Sequence, residues 1–318
     1  MKRLLFTIIM LSMSVTVLFA GGGRDTRVND GRLNVVVTIF PAYDFVRQIA
    51  GDRVNLTMLL SPGAESHSFE PSPRDIITIN NSDVFIYVGE SEQWIERILR
   101  SMNTDEMIIF ALTNPVELLL ADEHEVDPSC DDPDCFDDHH FCSLFDEHVW
   151  TSPRNAILIV RALSALFSEI DPANAAFYRE NAFIFIRELE QLDAAFSETV
   201  AGARRRTVVF GDRFPFRYFV ETYGLTWHAA FLGCSTQVDP SPATIAFLIN
   251  TVRNEQIPVV FHIELSNERI ADVIVEATGA RKLLFHSVHN VSRQDFNAGL
   301  GYLDLMRRNV ENLRTALN

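Results

Sequence analysis

The chain has 318 residues, of which 47% are hydrophobic and 22% are charged, and its formal net charge is −16. This length and hydrophobicity suffice for two domains with separate cores and exclude a largely disordered chain. The acidic excess argues against nucleic acid and anionic membrane surfaces as main ligands, because both are polyanions, and it makes cations the more natural partners.

The N-terminus predicts export. Lys2 and Arg3 precede an apolar run at residues 4–20, and three glycines follow this run. The layout is typical of a secretory signal peptide at residues 1–20, and a single spanning anchor is the alternative. We therefore expect a monomeric, exported protein in the periplasm or at the cell surface.

From Leu33 onward, short β-branched runs alternate with amphipathic segments, which is typical of mostly parallel α/β folds. In the first half, the pattern predicts strands at 34–39, 54–60, 84–88 and 107–110, and helices at 41–50, 73–80, 92–101 and 153–169. After residue 201 it predicts strands at 207–210, 258–263 and 282–285, and helices at 216–223, 242–254, 267–278 and 295–317.

A long helix is predicted between the two halves. Residues 173–201 contain no Pro or Gly, and apolar residues recur at helical spacing. Such a helix is about 42 Å long at 1.5 Å per residue, which suits a rigid connection between two lobes. We therefore predict an N-terminal α/β lobe at 33–172, a linking helix at 173–201 and a C-terminal α/β lobe at 203–318, with a ligand cleft between the lobes.

Histidines occupy the loops that we expect to face this cleft. His67 follows the second strand, His148 precedes a helix that begins at Pro153, and His286 and His289 follow the last strand. Imidazole suits zinc and other first-row ions, and a tetrahedral zinc site needs about four donors. The arrangement predicts a metal site in the cleft.

Several motifs resemble the zinc- and manganese-binding solute-binding proteins of ABC importers. They are Pro62-Gly-Ala-Glu-Ser-His67 followed by Phe69-Glu-Pro-Ser-Pro73, then Asp83-Val-Phe-Ile-Tyr-Val-Gly89 with Trp94, and Glu147-His148-Val-Trp150 with Pro153. The resemblance extends from about residue 33 to residue 318. It implies two α/β lobes joined by one long helix, with a metal held in the cleft by three histidines and a carboxylate.

The resemblance assigns His67 and His148 directly as ligands. At the family's third position the chain has Gly211-Asp212-Arg213 with no histidine, and His286 occupies the position of the usual aspartate. His67, His148 and His286 are therefore the primary candidates. The fourth donor stays open among water and four side chains: His289, Glu264, Asp212 and Cys234. A thiolate ligand would favour zinc over manganese.

The segment 121–147 contains eleven acidic residues, three histidines and three cysteines, and it has no Lys or Arg. This composition is typical of a solvated loop. Its histidines, His124, His139 and His140, predict a weak accessory metal-collecting function, which resembles the His- and acid-rich insertion of zinc-binding relatives. Cys130, Cys135 and Cys142 are compatible with one disulfide plus an odd thiol or with soft-metal binding.

The function predicted from the sequence is capture of a divalent metal, zinc ahead of manganese, and its delivery to the permease of an ABC importer. A secreted zinc hydrolase is the enzymatic alternative, because three histidines and an open position can activate water. The chain has no HExxH motif, P-loop or dinucleotide fingerprint, so we expect no enzyme. A surface adhesin is the third possibility.

Deletion of residues 123–140 tests the accessory role of the acidic loop. We expect the deletion to remove weak extra zinc equivalents and to leave one tight site, because the segment lacks the periodicity of a packed element. Equilibrium dialysis with zinc measures both classes of site. Loss of the tight site would show instead that this segment supplies a primary ligand.

Overall fold

The structure is a computed structural model that describes residues 30–66, 69–89, 92–120, 145–231 and 240–318. Within these ranges no helix is both long and apolar enough to cross a membrane. Several predictions lie outside the described residues: the signal peptide, His67, the three loop histidines, Cys234, and Cys130, Cys135 and Cys142.

The N-terminal lobe is built on a four-stranded parallel sheet. Its strands are β1 (Leu33–Val37), β2 (Val54–Met58), β3 (Val84–Tyr87) and β4 (Ile108–Ala111), in the order β2-β1-β3-β4. Helices α1 (Phe40–Ala50), α2 (Pro73–Asn80) and α3 (Gln93–Ser101) connect them. Val35 and Val37 on one face of β1 and Val36 on the other are all buried, as expected for a strand covered on both faces.

Two long helices follow, α4 (Pro153–Ile170) and α5 (Ala175–Ala201). The 27 residues of α5 contact α1 and α4 of the first half and α10 near the C-terminus. Tyr178, Leu189 and Phe196 lie on its buried face. This helix occupies most of the predicted linking segment 173–201.

The C-terminal lobe repeats the architecture with a parallel sheet of order β6-β5-β7-β8. Its strands are β5 (Thr207–Phe210), β6 (Thr226–Ala229), β7 (Val259–His262) and β8 (Arg281–Leu284). Its helices are α6 (Arg217–Tyr223), α7 (Pro242–Asn254), α8 (Arg269–Thr278), α9 (Arg293–Asn297) and α10 (Tyr302–Leu317). Two parallel α/β lobes and one long helix confirm the predicted fold class.

Two element predictions are wrong. Strand β6 was not predicted, because its four residues, Thr-Trp-His-Ala, form an edge strand without a β-branched run.

The single helix predicted at 295–317 is divided into α9 and α10. The break contains Gly299, whose φ is +75°, and Gly301, where a Cβ atom would lie 2.8 Å from the Asp44 carboxylate of α1. That carboxylate accepts the Tyr302 backbone N–H at 2.7 Å.

The carboxyl ends of the strands supply the loops between the lobes. Segment 59–66 follows β2, Asp212 follows β5, Glu264 follows β7, and segment 285–291 follows β8. In open parallel sheets, ligands bind in the crevice outside these carboxyl ends. The fold therefore brings these loops to one region, where a ligand site is expected.

Gly211 is the position where this loop region is most tightly constrained. A Cβ atom there would lie 2.4 Å from Cα of Ala271 in α8. We expect Gly211→Ala to lower the free energy of unfolding by about 1–3 kcal/mol, as overpacking does. Gly202→Ala is the matched control, because its Cβ would meet only the Glu198 carbonyl at 3.5 Å. Urea denaturation measures both variants, and equal stabilities would contradict the steric argument.

Candidate metal centre

His148 is held in an orientation that suits metal binding. It lies just before α4, and its side chain is 4% exposed. Its Nδ1 lies 3.1 Å from Oδ1 of Asp146, which also accepts the His148 backbone N–H at 2.8 Å. Because a carboxylate only accepts, Nδ1 carries the proton and Nε2 keeps its lone pair. This carboxylate-histidine pair is the usual support of a metal-binding imidazole.

His289 comes from the opposite lobe and approaches His148. The centroids of the two imidazole rings are 5.5 Å apart. The fully buried Trp150 packs edge-on against both rings, at 5.4 Å from His148 and 5.0 Å from His289. Its indole N–H donates to the Ser287 carbonyl at 2.9 Å, so the same side chain also binds the loop that carries His289. One indole therefore supports both candidate ligands.

A cavity of about 90 Å³ lies beside these rings, and two carboxyl groups face it. Glu92 accepts the Val88 N–H at 2.7 Å and the Thr38 hydroxyl at 3.3 Å, both on Oε2. Glu147 Oε1 lies 3.7 Å from Nε2 of His148. Two ligands of a tetrahedral zinc ion are separated by about 3.3 Å, so this pair is close to ligating geometry. The cavity is lined by Thr38, Ile39, Leu60, Ser66, Phe69, Glu92, Trp94, Glu147 and His289.

Burial makes these carboxyl groups poor anions in the absence of a cation. It raises the pKa of Glu92 to about 8, and the nearby Glu147 charge adds to the effect. Burial also raises the pKa of Glu147. An opposite charge within a few ångströms favours the ionised form of a carboxyl group, so a divalent cation in the cavity would lower both pKa values. The electrostatics of the cavity therefore suit a cation.

A second, smaller cavity of about 20 Å³ shares Ser66 and His289 with the first. Its lining includes Arg213, whose guanidinium donates to both oxygens of Glu65 at 2.8 and 3.3 Å. A buried guanidinium repels a metal ion and cannot ligate it. The metal is therefore expected on the side of Glu92 and Glu147.

His286 is arranged differently from His289. Its Nδ1 accepts the Val288 backbone N–H at 2.9 Å, and burial lowers the pKa of the imidazole. A neutral ring that accepts at Nδ1 carries its proton on Nε2, so neither nitrogen presents a lone pair to the cavity. The turn depends on Val288, which has a φ of +62°, a rare conformation for a β-branched residue. This geometry favours a structural role for His286.

The other described candidates also have structural partners. Asp212 accepts the backbone N–H groups of Arg213 at 2.8 Å and Ile263 at 3.1 Å, one on each oxygen. Glu264 accepts the N–H and the hydroxyl of Ser287, again one on each oxygen. Both carboxylates therefore shape the loops of the C-terminal lobe. The cavity lined by Glu92 and Glu147 is termed the carboxylate cavity below. Among the described candidates for the fourth ligand, His289 is the one that lines it.

Within the described ranges, no three His, Cys, Asp or Glu side chains lie close enough together to hold a metal ion. Ser66, which precedes His67 in the chain, lines both cavities. Glu92 and Glu147 were not among the predicted site residues. Glu147 could have been found from its position beside His148, whereas Glu92 lies in Gly89-Glu-Ser-Glu92, which has no ligand spacing.

Comparisons with known proteins agree on one family. Residues 35–316 match the family described as "ZnuA: Zinc-uptake complex component A periplasmic". The chain is 29% identical over 306 residues to the zinc-binding lipoprotein AdcA of Streptococcus pneumoniae (strain ATCC BAA-255 / R6), which covers 96% of this chain and 60% of AdcA. It is 28% identical over 287 residues to the high-affinity zinc uptake system protein ZnuA of Bacillus subtilis (strain 168), covering 90% of this chain and 88% of that protein.

A solved structure extends the similarity to three dimensions. The crystal structure of the Zn(II)-bound ZnuA-like domain of Streptococcus pneumoniae AdcA has a TM-score of 0.74 and 27% identity, and it covers 90% of this chain and 99% of that domain. The chain spans about 60% of the length of the streptococcal proteins that it matches.

Single alanine substitutions distinguish the two histidines of the β8 loop. We expect His148→Ala and His289→Ala each to weaken zinc binding at least tenfold, or about 1.4 kcal/mol, because each removes a candidate ligand. His286→Ala should change zinc affinity by less than about threefold while lowering the melting temperature. Competition with a chromophoric chelator gives the affinities. Tight binding by His289→Ala and weak binding by His286→Ala would reverse the assignment.

Proposed function

The chain belongs to the family of the periplasmic component A of zinc-uptake complexes, and from this membership we propose that it captures zinc outside the cytoplasm and delivers it to the permease of an ABC importer. The observation that carries the proposal is the carboxylate cavity between the lobes. His289, Glu92 and Glu147 line it, and His148 lies beside His289 and Glu147 with its Nδ1 paired to Asp146.

The proposed ligands are His67, His148 and His289 with a carboxylate from Glu147. The 3.7 Å separation of the Glu147 and His148 donor atoms supports this pair, and the shared support from Trp150 adds His289. His67 enters through its sequence motif and its place directly after Ser66. Glu92 faces the same cavity and adds negative charge opposite the imidazoles. His286 remains the competing prediction from the resemblance.

Zinc is the proposed ion because the donor set is rich in imidazole. Three imidazoles and one carboxylate are a typical tetrahedral zinc set, whereas manganese prefers more oxygen ligands and a higher coordination number. The relatives reported above carry zinc in their names. We propose the acidic loop at 121–147 as a weak collector that raises the local concentration of zinc near the cleft.

The fold also suits capture and release without large rearrangement. Helix α5 continues for 27 residues, and the lobes also contact each other through buried hydrogen bonds such as that from Tyr302 Oη to the Trp150 carbonyl at 2.7 Å. A continuous helix offers no hinge at which backbone torsions change cheaply. The proposed capture therefore relies on movement of side chains and loops that brings the donors together, rather than on rotation of the lobes.

Elemental analysis tests the proposal directly. We expect protein purified without added metal to retain about one zinc per chain, and to release it only to a strong chelator, because three imidazoles and a carboxylate bind zinc tightly. Assays for peptide and ester hydrolysis on the same sample should show no turnover. Retention of manganese in place of zinc would overturn the metal assignment, and zinc-dependent turnover would favour the secreted hydrolase.

A further inference from the structure

The wall of the metal cavity that belongs to the N-terminal lobe is attached to the C-terminal lobe. This wall is segment 61–66, which follows β2 and contributes Ser66 to both cavities. The amide of Asn290, beside His289, donates to the Ser61 carbonyl at 2.9 Å and to the Ala64 carbonyl at 2.8 Å. One buried side chain thus binds two carbonyl groups of the opposite lobe.

Further contacts reinforce this attachment. The Gly63 N–H donates to the Val291 carbonyl at 2.7 Å, and the Arg293 guanidinium donates to the Pro62 carbonyl at 3.3 Å. The first contact joins segment 61–66 to the loop after β8, and the second joins it to the first residue of α9. The backbone of this wall is therefore bound along most of its length to the loop that carries His289.

The ion pair between Arg213 and Glu65 is the last contact that joins segment 61–66 to the C-terminal lobe. The Arg213 side chain is 7% exposed, whereas that of Glu65 is 39% exposed. The Arg213 guanidinium donates across the cleft to both oxygens of Glu65. A bidentate pair of this kind fixes direction as well as distance.

We propose that Asn290 and Arg213 are positioning residues for metal capture, which fasten segment 61–66 to the C-terminal lobe and so hold the two walls of the cavity together. The proposal rests on the proposed function, since it assigns these residues a part in zinc binding. Neither residue touches the metal. Each acts by keeping the wall that ends at Ser66 in register with His289.

Two substitutions test the proposal. An effect of local charge alone would raise the zinc affinity of both variants, whereas a loss of positioning would lower it. Asn290→Asp removes the amide donor and adds a negative charge near the site, and Arg213→Gln removes a positive charge. If only charge mattered, both variants would bind zinc more tightly. Both variants lose their contacts with segment 61–66, and the Asp carboxylate would also face two carbonyl oxygens. We therefore expect zinc affinity to fall at least tenfold and the zinc dissociation rate to rise.

Asn312→Asp is the matched control. The Asn312 amide also donates to a backbone carbonyl, that of Leu284 at 2.7 Å, but this bond lies within the C-terminal lobe. Asn312 lines neither cavity. The variant carries the same added charge and loses a bond of the same kind, so we expect a lower melting temperature and a zinc affinity within about threefold of the parent.

The measurements use the full chain. Chelator competition gives zinc affinity, stopped-flow mixing with excess chelator gives the dissociation rate, and thermal denaturation with and without zinc gives stability. If the parent binds no zinc tightly, the proposed function fails. If the parent binds zinc and both Asn290→Asp and Arg213→Gln match or exceed its affinity, the positioning proposal alone is overturned.

A double-mutant cycle keeps the test decisive if Asn290→Asp does not fold. Glu65→Gln preserves volume at a partly exposed position, so this variant should fold. If the ion pair acts as a unit, Glu65→Gln combined with Arg213→Gln will bind zinc no more weakly than Arg213→Gln alone. Additive losses of affinity would show that the two residues act independently and would contradict the fastening.

Discussion

The structure of the candidate centre depends on the burial of Trp150 between the two lobes. Its ring packs against His148 from one half of the chain and His289 from the other, and its N–H binds the Ser287 carbonyl. A buried indole N–H needs a partner, so the ring can occupy only a narrow range of positions. Because both imidazole rings pack against this indole, their positions are restricted as well. A rigid aromatic side chain can therefore fix the separation of two candidate ligands from different loops, whereas a flexible aliphatic side chain could not.

Buried contacts near Trp150 also connect the two lobes. Tyr302 of α10 donates to the Trp150 carbonyl, and its own backbone N–H is accepted by Asp44 of α1. These contacts connect the C-terminal helix to both the metal loops and the N-terminal lobe. Interdomain contacts within a chain are commonly polar and mobile, but these are buried and directional. Because hinge closure would have to change these contacts and the continuous α5, we expect side chains and loop segments rather than the lobes to respond to a metal.

The sequence predicted the fold well because its signals are local. Pro at the first turn and a polar cap mark α2 and α7, and both helices have the predicted bounds. The predictions that were wrong depended on distant residues. The break between α9 and α10 is enforced by Asp44, more than 250 positions away. The different arrangements of His286 and His289 depend on the unusual backbone of Val288, which no periodicity reveals. Spacing therefore predicted the candidate loops, whereas the choice among their histidines rests on hydrogen-bond geometry.

His289 lies between two cavities whose charged groups differ, and this difference affects which ions each cavity can bind. On one side, the partly buried carboxyl groups of Glu92 and Glu147 have raised pKa values. On the other side, the Arg213 guanidinium is paired with Glu65. A cation on the guanidinium side would meet a positively charged group that already occupies the nearest carboxylate, whereas on the other side it would meet two carboxyl groups whose ionised form it favours. We therefore expect a divalent ion to bind on the carboxylate side, and the ion pair that disfavours the other cavity is also the contact that we propose to hold the cavity wall in place.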